Sequence, residues 1–310
     1  MTEFSPIAAE RRLGLLDPPQ GHVAAVLDTD TYNEIDDQFA LVYALLSPRI
    51  TLEAVYAAPF FNARSEGPAD GMAKSYDEIL RVMTHLGFDP TGMVYRGSTS
   101  YLPDASTPCE SDAARDLVAR ARAPREGPLY VMAIGAITNV ASALLMAPDI
   151  ADRIVVVWLG GQPEYWDTAR EFNLAQDVPA AQVIFDCGVP LVHIPCSNVA
   201  EMLRTTLPEM ATYVKGRGAI GDYLYGIFED FAPDHFGRSK VIWDISAPAW
   251  LISGSWVSTV LMPSPVLTDD VTWGPVDDSR HVVRIGRHID RDAVFTDLFV
   301  KLQQHADARA

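Results

Sequence analysis

Short β-branched runs alternate with helically spaced apolar residues along the first two thirds of the chain. HVAAVLD (22–28) reads as a buried strand, and DDQFALVYALLS (36–47) sets its apolar residues at helical intervals directly after it. LEAVYAAP (52–59) is strand-like again and KSYDEILRVMTHLG (74–87) helix-like, so the chain opens βαβα. The pattern resumes with LYVMAIG (129–135) and, after Thr138 and Asn139, VASALLM; then come RIVVVWLGG (153–161), the helix-like VPAAQVIFDCG (178–188) and LVHIP (191–195). Beyond residue 200 the order loosens. Helix-like stretches fall around 210–214 and 219–231, followed by VIWDISAPAWLIS, the short strand HVVRIG and a closing helix near 292–305. YLPDASTPCESD (101–112), rich in proline and small polar residues, reads as a surface loop and not a boundary. Strands returned by helices predict an α/β fold: a single open, mostly parallel sheet with helices on both faces. One domain over 1–310 is the expectation, with 1–20 as an extended N-terminal arm.

Composition narrows the function. With 310 residues, 48% hydrophobic content and a mean hydropathy of +0.06, the chain can fill a large core, yet no apolar segment approaches the ~20 residues of a membrane helix. The opening MTEFSPIAAERRLGLLDPPQ carries charges and prolines where an export signal needs an apolar stretch, so a cytoplasmic location and no membrane partner are expected. A net charge of -17 argues against nucleic acid and fits a small neutral or cationic ligand, or a metal. Cys109, Cys187 and Cys196 are too few and too scattered for a disulfide framework or a thiolate metal site.

The candidate chemistry lies where strands end, since ligands of open α/β sheets bind at the carboxyl edge. After the first strand, DTDTYNEIDDQ packs Asp28, Asp30, Asp36 and Asp37 with Glu34 and Asn33 into eleven residues. Carboxylates this close repel one another, so a fold that keeps them ionised supplies a cation or hydrogen bonds. Asn62 follows the second strand, Ile134 and Gly135 the next parallel run, and Glu171, Asn173, Trp243 and Asp244 come later. Acids, amides and a free backbone carbonyl suit Ca²⁺ or Mg²⁺; the absence of His and Cys disfavours zinc. Each residue has a plainer reading: Asp36 and Asp37 as a helix start, Asn62 and Asn173 as turn or cap residues, Glu171 as a solvated acid, Trp243 as core. A strand-end DxDx[TV], as in haloacid dehalogenase phosphatases, is a competing pattern, but Tyr32 occupies its fifth position. Lys74, Lys215, Lys240 and Lys301, its candidate lysines, fall in helical or loop settings.

DTDTYNEIDDQFAL resembles the DxDPGxDD signature of the inosine-uridine nucleoside hydrolases, Ca²⁺ enzymes that hydrolyse the N-glycosidic bond of ribonucleosides. IGAITNVASALL looks like that family's GPLTN segment, EFNLAQDVPAAQVIF like its EFN segment, and WDISAP falls where it has a late metal segment, all in the family order over about residues 22 to 250. The resemblance implies a Rossmann-like core and a Ca²⁺ site of Asp30, Asp37, Asp244 and the Ile134 carbonyl, with Asp28 supporting from behind. It makes Asp30 the base and gives Asp36 the ribose 2′-hydroxyl, with Asn62, Glu171, Asn173 and Asn33 on the remaining hydroxyls. It implies a small-molecule nucleoside substrate and a homodimer or homotetramer. Two departures stand out. TYNEI separates Asp30 from Asp36 where the family has a shorter linker, and Trp243 stands where many members have His. Tryptophan cannot protonate a leaving base but can stack on one, so Trp243 reads either as a purine-preference element or as wall packing. QPEYWDTAR lacks the family's loop Asn, leaving Trp166 or Asp167 as substitutes. A Ca²⁺-dependent nucleoside- or sugar-binding protein without turnover is the alternative outside enzymes.

Overall fold

A computed structural model describes residues 4–309 of the chain. Ten strands are found among them: β1 Val23–Thr29, β2 Ile50–Ala57, β3 Val94–Arg96, β4 Leu129–Ala133, β5 Ile154–Leu159, β6 Leu191–Ile194, β7 Arg204–Thr205, β8 Lys240–Val241, β9 Val257–Pro263 and β10 Val282–Ile289. Eight of them form one sheet in the order β3-β2-β1-β4-β5-β6-β10-β9. Every pairing is parallel except β10 with β9. β7 and β8 make a separate antiparallel ribbon.

The central strands are apolar at nearly every position because both faces are covered. Val155 and Val157 of β5 enter one cluster with helices Asp37–Leu45, Pro68–Leu86, Ser246–Ile252 and Arg291–Asp307, while Val156 and Trp158 enter another with helices Asp112–Arg122, Thr138–Met146 and Val178–Asp186. The chain runs outward from β1 through β2 to β3, then returns to lay β4, β5 and β6 on the other side. β1 and β4 therefore flank the point where strand order reverses, and their carboxyl ends open a crevice there. Asp28 lies near the end of β1 and Ile134 follows β4, so the sheet's own topology brings two of the expected site segments together.

The expected elements are present, with local differences. Part of the arm expected to be extended is helical: Ala9–Leu16 forms a helix whose Leu16 and Arg12 are buried, Arg12 donating to the Gly188 carbonyl at 2.7 Å. Residues 1–3 of that arm lie outside the described residues. The helix expected from Lys74 starts at Pro68, where a proline at the first turn sacrifices no hydrogen bond, and stops at Gly87 in the left-handed region. Directly after the loop at 101–110, Ser111 caps helix Asp112–Arg122, its Oγ accepting from Ala114 N at 3.1 Å. No helix among the described residues is long and apolar enough to cross a membrane.

Candidate active site

β1 delivers Asp28 and, one residue beyond its end, Asp30; the extended turn then leads to Asp36 and Asp37 at the start of helix Asp37–Leu45. Asp244 arrives from the far end of the chain on a single 3-10 turn, Trp243–Ile245, that packs against the same helix. All five aspartates are buried, none more than 4% exposed. Carboxylate oxygens of Asp36, Asp37 and Asp244 lie within 4.8 Å of one another. Both oxygens of Asp30 and Oδ2 of Asp28 are buried without a hydrogen-bond partner among the described residues.

Burial is the largest influence on every one of these carboxyls, and it raises their pKa values. Asp30 is held well above the usual carboxylate range by burial and then by Asp37 and Asp36; Asp244 is raised by burial and then by Asp36 and Asp37. Asp28 is pushed up to about 7 by burial, with the hydrogen bond from Asn139 opposing. Unpaired buried acids are costly, and a converging set of oxygens with two free atoms on Asp30 fits a hard divalent cation. Ile134 lines the same cavity, and its carbonyl accepts from Asn173 Nδ2 at 3.1 Å.

A cavity of about 890 Å³ stands over the cluster. Its wall includes Asn33, Asp36, Asn62, Ile134, Glu171, Asn173, Trp243 and Asp244, so eight of the eleven expected site residues face one space; Asp28, Asp30 and Asp37 lie beneath. Several are already engaged. Asn62 Nδ2 donates to Asn33 Oδ1 at 2.7 Å, joining the second strand's exit to the extended turn. Glu171 caps the short helix Phe172–Gln176, accepting from Gly161 N at 2.7 Å, Asn173 N at 3.1 Å and Leu174 N at 3.2 Å. The plainer reading of Glu171 as a solvated surface acid fails: its carboxylate is half-buried and spent on three backbone N–H groups while the residue stands in the cavity wall. Asn173 spends its amide on the Ile134 and Leu159 carbonyls, both at 3.1 Å, which steadies the strand ends. Trp243 is half-buried in the wall and its backbone N–H donates to Asp36 Oδ2 at 3.1 Å. The residues expected to replace the missing loop Asn do not enter: the loop contributes Gln162, whereas Trp166 and Asp167 lie off the wall.

Three participants escaped sequence reasoning. Asn139 Nδ2 donates to Asp28 Oδ1 at 2.8 Å and to the Ala57 carbonyl at 3.3 Å, while its Oδ1 accepts from Ser98 N at 2.8 Å. Thr29 Oγ1 donates to Asp37 Oδ1 at 2.5 Å. Lys240, expected above in a helical or loop setting, is in β8, with Nζ 2.5 Å from Glu34 Oε2 and 3.9 Å from Asp36 Oδ1. Burial works against its charge, but Asp36 and Glu34 outweigh it and hold its pKa above the ordinary lysine value. Cys196, given no role above, is buried in the cavity wall.

These features define a doubly wound α/β protein with an all-oxygen cage at its switch point. The model of the family described as inosine-uridine preferring nucleoside hydrolase matches residues 25–296, and the chain belongs to that family. Among curated relatives, a pyrimidine-specific ribonucleoside hydrolase, RihA, of Salmonella paratyphi B is 28% identical over 181 residues, 51% of this chain and 55% of the relative. The chain thus spans about half the length of the curated relatives it matches. Among solved structures, the purine-preferring ribonucleoside hydrolase from Gardnerella vaginalis superposes with a TM-score of 0.71 at 20% identity, covering 92% of this chain and 99% of that one. A plant nucleoside hydrolase gives 0.71 at 18% identity, covering 91% and 99%. At these identities the likeness establishes the fold.

Proposed function

We propose that the protein hydrolyses the N-glycosidic bond of ribonucleosides in a Ca²⁺-dependent reaction, releasing free base and ribose, with purine nucleosides preferred. The observation that carries this reading is the convergence of buried carboxylates beneath a cavity walled by amides and aromatic residues. Asp30, Asp37, Asp244 and the Ile134 carbonyl would hold the cation, which when bound offsets the carboxylates' repulsion and acidifies water in its vicinity. Asp30, with both oxygens free, accepts the proton of the attacking water. Asp28 fixes the turn from behind. Asp36 accepts from the ribose 2′-hydroxyl, while Asn33, Asn62, Glu171 and Asn173 surround the other hydroxyls and orient the sugar. Departure of the base leaves an oxocarbenium-like ribosyl cation, and the field of the acids favours that state over the neutral substrate. Trp243 lends a stacking surface for a purine, supported by its place in the cavity wall. A single domain over 1–310, acting as a homodimer or homotetramer in the cytoplasm, completes the reading on the family resemblance.

A reducing-sugar assay over purine and pyrimidine ribonucleosides, with calcium supplied or chelated, tests it. Sugar release that chelation abolishes and calcium restores is expected, with purines ranked first. Asp30→Asn keeps the side chain's size but cannot accept the proton, so kcat should fall by about 10²-fold or more with KM little changed. An unaltered kcat in that variant refutes the mechanism; retention of intact nucleoside without cleavage would make the protein a binder.

A further inference from the structure

The cage brings carboxylate oxygens of Asp36, Asp37 and Asp244 within 4.8 Å of one another, with Asp30 buried close by, and one ammonium is buried beside it. Lys240 is only 10% exposed at its side chain, and Asp36 4%. Lysine offers three donors. One meets Glu34 Oε2 at 2.5 Å and another the Val241 carbonyl at 2.9 Å, leaving the charge facing Asp36 Oδ1 at 3.9 Å, an ion-pair distance and not a hydrogen bond. The aromatic ring of Phe231, 5.1 Å from Nζ, closes another side. Lys240 cannot drift, because Thr205 pairs with it across the β7–β8 ribbon and Ile242 N donates to the Leu203 carbonyl at 2.8 Å. Nor does it belong to the cavity wall, so it reaches a ligand only through its neighbours. Its partner Glu34 lies within TYNEI, the stretch that lengthens the turn between Asp30 and Asp36. The long turn and the lysine are therefore two halves of one device: the turn brings Glu34 out to the ribbon, and the ribbon sets a cation against the outer face of Asp36, whose other oxygen takes the Trp243 N–H.

We propose that Lys240 is a resident counter-ion of the carboxylate cage, a positioning residue that fixes Asp36 for ribose recognition and holds down the cage's affinity for its divalent cation. The first effect rests on the reading of Asp36 given above; the second does not. A fixed positive charge facing Asp36 repels any divalent ion bound among the same acids, so removing it strengthens cation binding. A lysine serving only to brace the ribbon would do the reverse, since its loss would loosen the cage.

Calcium titration of the purified full chain by calorimetry separates the two. Lys240→Met should bind Ca²⁺ at least about tenfold more tightly than wild type, and Lys240→Arg, which keeps the charge, should stay within about threefold. Equal or weaker binding by Lys240→Met overturns the counter-ion role whatever the protein's activity. The second readout is kcat/KM for a ribonucleoside against its 2′-deoxy counterpart. Wild type should favour the ribonucleoside, and Lys240→Met should shrink that preference about tenfold by losing rate on the ribonucleoside, with Lys240→Arg restoring it. An undiminished preference in Lys240→Met overturns the positioning role. Wild-type protein that cleaves no nucleoside refutes the proposed hydrolysis and with it the positioning role, while the calcium titration still decides the counter-ion role.

Discussion

Gly135 carries a sharp test of how tightly Asp30 must be held. It follows Ile134 at the end of β4, and a Cβ placed there would stand 2.9 Å from Asp30 Oδ1, 3.0 Å from its Cγ and 3.2 Å from its backbone N. Its φ is not in the left-handed region, so Gly135→Ala adds no backbone strain and its effect is purely steric. To restore ordinary contact the carboxylate must recede by about half an ångström, and the backbone N behind it resists a larger rearrangement. Misplacing a reacting group by about 1 Å costs on the order of 10²-fold, so half of that predicts about a tenfold fall in kcat, about 1.4 kcal/mol in the barrier. Crowding a packed interior adds about 1–3 kcal/mol of lost stability. The assay is ribose release under saturating calcium, with kcat and KM resolved, alongside urea unfolding to confirm a folded variant. KM should change little because the cavity wall is untouched. A folded Gly135→Ala enzyme with unchanged kcat would refute the assignment of Asp30 as the proton acceptor held at this spot.

Two further predictions concern stability. Asn139→Ala strands Asp28 Oδ1, the Ala57 carbonyl and Ser98 N in the interior, which should cost about 3 kcal/mol or more in urea unfolding; a loss below about 1 kcal/mol would mean that the network is not holding Asp28. His193 is fully buried, donates from Nε2 to the Gly160 carbonyl at 2.6 Å, and is pushed down to about 4 chiefly by burial. Between the unfolded value near 6.5 and the folded value the unfolded chain binds more protons, so stability present above about pH 6.5 is lost as pH falls to 4, roughly 3 kcal/mol from this residue. His193→Gln, which keeps a donor but cannot titrate, should flatten that part of the stability profile; identical slopes in the two proteins between pH 7 and 4.5 would contradict it.

What could be read along the chain was what is local. The runs that became β1, β4 and β5 are apolar on both faces, and the acids after β1 stand next to one another in sequence, so neither needed a third dimension to be seen. Tertiary partnerships left no such mark. Asn139 looks like any residue near a helix start until the 111 residues separating it from Asp28 are folded away. Lys240 sits 206 residues from Glu34, and its two-residue strand is too short to announce itself by periodicity. Glu171 misled in another way: alone in sequence it looks like a solvated acid, whereas the fold half-buries it as the cap of a helix that stands in the cavity wall. β9 carries half-exposed and exposed positions at the sheet's edge, where alternation is weak, and its antiparallel pairing with β10 was not foreseen.

The arrival of Asp244 from so far along the chain makes the cage a late event in the life of the protein. Asp30, Asp36 and Asp37 are neighbours from the moment they are synthesised, but the fourth acid joins them only when the segment after β8 docks on helix Asp37–Leu45. That docking brings buried carboxylates together, a cost that the proposed cation would offset. Under the proposed cation binding, closure of the site and uptake of the ion are coupled, so free divalent ion around a newly made chain should speed its maturation as well as support the finished protein.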